Sequence, residues 1–207
     1  MLISIEGNIG SGKSTLVEYL KSLGKYIFVD EPVNEWLTIK DNTGSNALEC
    51  FYKNQKENAF CFQVLAYITR LKKLIDTVKN NSSNNIIITE RSIETDRNVF
   101  AKMLYEDGLI SSIEWETYNY WFDTFKEVSK VDLIIYIKTS PDKCLERINI
   151  RNRMEESNIK TEYLEKCNKY HNDWLNNDNN NEIITINGHD SIDIIRNKVL
   201  NILEKKD

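Results

Sequence analysis

The sequence predicts an α/β fold, a three-layer sandwich in which helices cover both faces of a five-stranded parallel sheet. Three observations predict it. Strand-like and helix-like stretches alternate along the 207 residues, the pattern of a parallel sheet with crossover helices. Two strand stretches, IIIT at 86–89 and LIIYI at 133–137, are near-continuous apolar runs of the kind buried on both faces. Finally, Gly7 to Thr15 read GNIGSGKST. This matches G-x-x-x-x-G-K-[ST] at Gly7, Gly12, Lys13 and Ser14, and it joins a short apolar strand to a helical stretch.

The elements follow in order. Leu2–Ile5 is the first strand. Ser14–Leu23 is the first helix, and Gly24 releases the chain from it. Tyr26–Val29 is the second strand and runs into Asp30, Glu31 and Pro32. Thr38–Ser45 is polar and reads as a loop. Asn46–Lys79 is mainly helical, with a break in the polar run Lys53–Asn58, and Asn80–Asn85 is a turn. Ile86–Thr89 is the third strand. Ser92–Tyr105 and Ser111–Ser129 are helices separated at Gly108. After the fourth strand, Leu133–Ile137, Ser140 supplies an N-cap and Pro141 the first helical position of the next helix. Thr161–Asn176 is helical and Asn177–Asn181 a polar turn. Glu182–Ile186 is the last strand and Ser191–Glu204 the last helix.

Residues 1–207 are expected to form one domain, on the usual ratio of ~150 residues per domain. Hydrophobic residues make up 41% and charged residues 29%, an ordinary globular composition with enough chain to bury a core. With 27 basic against 32 acidic residues the net charge is −5, which argues against a nucleic-acid polymer as partner. Cys50, Cys61, Cys144 and Cys167 are scattered with no C-x-x-C pair, so free thiols in a reducing compartment are expected. No apolar run reaches membrane-spanning length, and a strand starting at residue 2 leaves no room for a targeting peptide. The expectation is a cytoplasmic protein with no membrane partner.

In open α/β sheets, ligands bind beyond the carboxyl ends of the strands. The glycine-rich loop lies past the first strand. Its glycines turn backbone N–H groups inward around a polyphosphate, and the helix start adds partial positive charge. Lys13 would reach the β- and γ-phosphates and Ser14 would hold magnesium. Glu31, past the second strand in EPVNEW, can take a proton from an attacking hydroxyl; its plainer reading is an acid that complements a helix dipole. Trp36 is either a stacking wall or ordinary core. Past the third strand, Glu90 is placed for magnesium and Arg91 for an acceptor oxygen or a phosphate; the alternative is a surface ion pair. Thr139 follows the fourth strand.

Further along, Arg147 and Arg151 are four apart and share a helix face, and Arg151 and Arg153 would extend past its end. That suits a lid over a transferring phosphoryl group, or a solvated basic helix. Gln63 and Arg70 share a face of one helix, and Asp96 and Phe100 a face of the next. In a pocket, Arg70 would pair with Asp96 and Gln63 would meet a base edge. On ordinary amphipathic helices these polar groups would face water.

GNIGSGKST, EPVNEW, CFYKNQKENAFCFQ, TERSIETDRNVFA, RINIRNRMEE and EYLEKCNKYHNDWL together resemble the deoxynucleoside kinase family, in its deoxycytidine and deoxyguanosine kinase branch, over nearly the whole chain. The resemblance implies a P-loop kinase of nucleotide salvage, with ATP or another NTP as donor and Mg2+ as cofactor. It makes Glu31, Arg91 and Lys13 catalytic, Glu31 as base for the 5′-hydroxyl. The donor would lie on Gly7, Asn8, Ile9, Gly10, Ser11, Gly12, Lys13, Ser14 and Thr15. Arg147, Arg151 and Arg153 would close over it from a lid at about 147–157. Trp36, Val33, Phe51, Phe62 and Phe100 would wall the nucleoside pocket together with Ile9. Gln63 would read the base, and Tyr52 and Glu156 would hold the 3′-hydroxyl. Ser14 and Glu90 are the magnesium positions, and Arg70 with Asp96 would select cytosine and purines. Phe51 departs from the branch, whose deoxycytidine kinases carry Met there.

The resemblance also implies a homodimer packed through 46–79 and 92–129, with feedback by a deoxynucleoside triphosphate. Three rivals are weaker. A thymidylate kinase shares the core and lid, but Tyr52, Gln63 and Glu156 suit a nucleoside rather than a monophosphate. A non-catalytic relative should have lost Lys13, Glu31 or Arg91. A regulatory GTPase should carry an N-K-x-D guanine reader.

Overall fold

A computed structural model of the chain describes residues 1–81, 85–153, 156 and 159–206. Two expected features fall partly outside that set: Ser82, Ser83 and Asn84 of the 80–85 turn, and Met154, Glu155, Ser157 and Asn158 of the lid segment and its motif. Five strands, β1 (Leu2–Glu6), β2 (Ile27–Val29), β3 (Ile87–Glu90), β4 (Leu133–Lys138) and β5 (Glu182–Asn187), form one sheet in the order β2-β3-β1-β4-β5. Every neighbouring pair is parallel, as the alternating pattern predicts. β1 sits at the centre, with Ile5 opposite Glu90 of β3 and Ile135 of β4. The chain leaves β1 to one side for β2 and β3 and to the other for β4 and β5, so the end of β1 is a topological switch point.

The helices are α1 (Lys13–Ser22), α2 (Val33–Thr38), α3 (Ala47–Lys53), α4 (Gln55–Asn80), α5 (Ile93–Thr95), α6 (Lys102–Glu106), α7 (Ser112–Phe125), α8 (Pro141–Arg151), α9 (Thr161–Asn177) and α10 (Ile192–Glu204). Strand alternation sends Ile3 and Ile5 to one face, where they meet Leu16 and Leu20 of α1 and Ile195, Val199 and Leu203 of α10. On the other face Leu2, Ile87, Ile134 and Tyr136 pack on Leu74 of α4 and Leu175 of α9. Each such buried Leu or Ile contributes roughly 1.5–3 kcal/mol.

Local chemistry explains where the elements differ from expectation. A short helix, α2, starts within EPVNEW and runs to Thr38, where the sequence pattern predicts none; the Pro32 carbonyl accepts from Glu35 N and Trp36 N and starts it. The break expected over Lys53–Asn58 narrows to one residue, Asn54, between α3 and α4. The side-chain amide of Asn58 donates to Cys50 O at 3.2 Å and to Asn54 O at 3.0 Å, which satisfies carbonyls at the end of α3. The single helix expected from Ser92 is instead α5 and α6 joined by a π-helical turn, Asp96–Ala101. An extra residue in one turn leaves no trace in apolar periodicity. α7 ends at Phe125 rather than Ser129. Ser140 takes the N-cap backbone position before Pro141, but its side chain makes no capping bond. Among the described residues no helix is long and apolar enough to cross a membrane.

α3 starts with a capping box: Asn46 Oδ1 accepts from Glu49 N, and Glu49 returns a carboxylate to Asn46 N, both at 2.9 Å. Asn46→Ala is expected to lower stability by about 0.5–2 kcal/mol, read as a lower urea midpoint with an unchanged slope.

Candidate active site

A cavity of about 840 Å³ opens beyond the carboxyl ends of β1, β2 and β3. At one end it is floored by the phosphate loop. Gly12 has φ 102 and Gly10 has φ 75, backbone that side-chain-bearing residues rarely adopt. A Cβ on Gly10 would also sit 2.5 Å from Cys144 O. Ile9, Gly10, Ser11, Gly12, Lys13, Ser14 and Thr15 line the cavity, whereas Gly7 and Asn8 lie behind it. Asn8 is a tether: its amide donates to Leu164 O of α9 at 2.8 Å while its Oδ1 accepts from Ile9 N at 2.8 Å. Lys13 Nζ donates to Asn8 O at 2.7 Å. Burial and the Arg91 guanidinium lower its pKa to about 8, against the pull of Glu90, Glu31 and Glu6. Ser14 Oγ donates to Glu90 Oε1 at 2.8 Å. A hydroxyl and one carboxylate beside a phosphate loop are hard oxygen donors, a set that suits magnesium completed by phosphates and water.

The middle of the cavity is a charge network. Arg70 of α4 uses three donors: Nε to Asp96 Oδ2 at 2.8 Å, Nη1 to Glu90 O at 2.7 Å and Nη2 to Glu31 Oε1 at 3.1 Å. Arg91 Nη1 donates to the same Glu31 oxygen at 2.6 Å. Burial alone would raise the Glu31 pKa, but Arg91, Arg70 and Lys13 outweigh it and hold the carboxyl at about 2. Burial raises the Asp96 pKa against the opposing pull of Arg70. Arg91 has φ 63, a left-handed conformation that costs a bulky residue on the order of 1–3 kcal/mol. Its guanidinium stacks over Phe100, 5.2 Å from the ring centre. The expected Arg70–Asp96 pair is therefore present and buried, and the surface-pair reading of Glu90 and Arg91 does not hold.

The far end is aromatic. Phe51 stacks on Phe62 at 4.7 Å and 19°, and Trp36 meets Phe62 edge-on at 5.3 Å. Trp36 is buried and lines the cavity with Val33, Gln63 and Phe100. Its indole N–H donates to Thr69 Oγ1 at 3.0 Å. Burial and the nearby Glu156 carboxylate raise the Tyr52 hydroxyl pKa well above its ordinary value, which keeps it a donor.

Arg147, Arg151 and Arg153 all line the cavity. Arg147 donates to Ser11 O at 2.9 Å and to Gly188 O at 3.0 Å, while Arg151 and Arg153 both pair with Glu156. Thr139 Oγ1 donates to Ser11 O at 3.2 Å, so it braces the loop. Sequence reasoning passed over Tyr163 and Arg196, which also line the cavity. Tyr163 carries a weak signal, one turn into the helix that follows the lid. Arg196 carries none, sitting on an amphipathic last helix.

The family model described as deoxynucleoside kinase matches residues 3–206. Among similar proteins, the probable deoxycytidine kinase of Fowlpox virus (strain NVSL) is 41% identical over 193 residues, covering 90% of this chain and 78% of that protein. Deoxycytidine kinase of Mus musculus is 36% identical over 193 residues, 84% of this chain and 74% of the relative. Mitochondrial deoxyguanosine kinase of Xenopus laevis is 33% identical over 191 residues, 84% and 72%.

The depressed Glu31 pKa has a stability consequence. The group's pKa falls from 4.5 to about 2 on folding, so its contribution is complete above pH 4.5 and is lost as pH falls through 2. By linkage it is on the order of 3 kcal/mol. Urea titrations should show Glu31→Gln well below wild type at pH 6, and the gap closing toward pH 2. A gap that does not change with pH would remove the ion pairs as its cause.

Proposed function

The chain belongs to the deoxynucleoside kinase family and is a nucleoside kinase, a transferase; from that premise we propose in-line transfer of the γ-phosphoryl group of Mg·ATP to the 5′-hydroxyl of deoxycytidine, deoxyadenosine and deoxyguanosine. The observation that supports this reading is Glu31, held between two arginines in a cavity that runs from the phosphate loop to an aromatic wall. Lys13, the loop amides and the lid arginines Arg147, Arg151 and Arg153 offset the charge that develops on the moving phosphoryl group. Ser14 and Glu90 would hold magnesium, which would supply further charge neutralisation when bound. Arg91 orients the acceptor oxygen, and Glu31 accepts its proton.

A carboxylate with a pKa of about 2 is a weak base toward a free alcohol. It suffices here because phosphoryl transfer has a loose transition state, in which the hydroxyl becomes acidic only as the new P–O bond forms. Glu31 is then an ionised, aimed acceptor over the whole working pH range. At the base, Asp96 can accept from the exocyclic amine of cytosine or adenine, and Gln63 can bond the neighbouring edge. Thymine would set a carbonyl against the carboxylate. Tyr52 and Glu156 hold the 3′-hydroxyl in this reading.

We read residues 1–207 as one cytoplasmic domain that works as a homodimer. Exposed Ile68 of α4 and exposed Ile113, Tyr120 and Trp121 of α7 support that assembly.

Two outcomes are expected. Glu31→Gln lowers kcat by ~10²–10⁴ in a steady-state assay, and near-normal turnover would remove it as the base. In a panel of four deoxynucleosides, thymidine has the lowest kcat/KM, by up to ~10⁴ against deoxycytidine. Thymidine leading the panel would overturn the role given to Asp96.

A further inference from the structure

Glu6 ends β1 on the same face as Leu2 and Ser4 and is fully buried. A carboxylate in such a place is unfavourable unless it is hydrogen-bonded. Three hydroxyls answer it: Ser4 and Ser92 donate to Oε1, the latter at 2.8 Å, and Thr95 donates to Oε2. The chemistry above does not use this group. Its partners nonetheless adjoin that chemistry, Ser92 following Arg91 and Thr95 preceding Asp96.

Ser92 directly follows Glu90 and Arg91. It is the N-cap of α5, its side chain accepting from Thr95 N. Arg91 stands in the left-handed region at φ 63, a conformation that persists only where surroundings over-determine it. Three ties do so. Arg91 N donates to Ile5 O at 3.1 Å, and Thr89 Oγ1 donates to Arg91 O at 2.7 Å. The residue after Arg91 is pinned by Glu6. Glu6 is itself next to Gly7, the root of the phosphate loop. One carboxylate therefore fastens that loop to the turn carrying Glu90 and Arg91, just where the β1–β3 ladder runs out at Ile5 and Glu90.

The chemistry of the tie is specific. A carboxylate only accepts, so it takes all three hydroxyl protons at once. An amide of the same shape would turn an N–H toward a hydroxyl that is already donating, and one of the three must rotate away.

We propose that Glu6 is a positioning residue for phosphoryl transfer, acting through Ser92 and Thr95 to hold Arg91 against the phosphate loop. This rests on the kinase reading above. The experiment compares wild type, Glu6→Gln and Thr95→Val, alone and in an Arg91→Ala background, with deoxycytidine and Mg·ATP. Glu6→Gln should lower kcat about 10–100-fold, the range for residues that orient a reacting group. Its deoxycytidine Kd, from calorimetry without donor, should stay within about threefold, since ground-state binding is untouched. Thr95→Val, which removes one donor and keeps the shape, should lose kcat in the same sense and by less. With Arg91 already gone, either change should cost less than about threefold more, because residues acting through one another are not additive. Should Glu6→Gln fail to fold, Thr95→Val carries the same comparison. Unchanged kcat in the folded variants overturns the proposal, as does a full loss that persists in the Arg91→Ala background. A wild type that phosphorylates no deoxynucleoside overturns the kinase reading instead, and this proposal with it.

Discussion

The site depends on one shared carboxylate. Glu31 Oε1 accepts from Arg70 and from Arg91, and those arginines come from α4 and from the turn after β3. Two buried guanidiniums and two acids, Glu31 and Asp96, are balanced in charge. Such groups are often no more stabilising than apolar packing, yet removing one partner costs about 3–5 kcal/mol, because it strands the others. What the arrangement secures is position. It joins the end of β2, the middle of α4, the end of β3 and the π-helical turn into one unit.

Rigidity extends to the aromatic end. Phe51, Phe62 and Trp36 lock one another, and the indole N–H is already satisfied by Thr69. A flat ligand therefore meets a wall that is formed in advance, and little ordering is left for binding to do. Phe51 and Tyr52 ride on α3, whose direction is set by its capping box and by the break at Asn54. Distant polar side chains thus aim the pocket.

Most of this was legible in the sequence because it follows from short-range rules. The apolar runs at 86–89 and 133–137 are strands, and a phosphate loop between a strand and a helix has few other uses. Arg70 and Asp96 could be paired because the family resemblance assigns both positions, although each helix carries other charges. What stayed hidden depends on tertiary partners. The one-residue break at Asn54 needs the amide of Asn58 to reach back to Cys50. The π-helical turn adds a residue without disturbing composition. Glu6 reads as a polar strand end until Ser92 and Thr95 are folded against it. From sequence Glu156 is expected only to hold the sugar, because its pairing with Arg151 and Arg153 needs the folded 151–156 segment.

Arginine performs two physically different tasks in this cavity, and exposure separates them. The side chains of Arg70 and Arg91 are 3% and 8% exposed; their ion pairs are desolvated, and moving either would strand a charge in low dielectric. Those of Arg151 and Arg153 are 30% and 47% exposed, so water can replace their partner, and exposed pairs of that kind are worth about 0–1 kcal/mol. Arg147 lies between, anchored to the carbonyls of Ser11 and Gly188. The 151–153 end can therefore exchange Glu156 for another anion at little cost, whereas the Arg70 and Arg91 end stays fixed, since its charges have nowhere else to go.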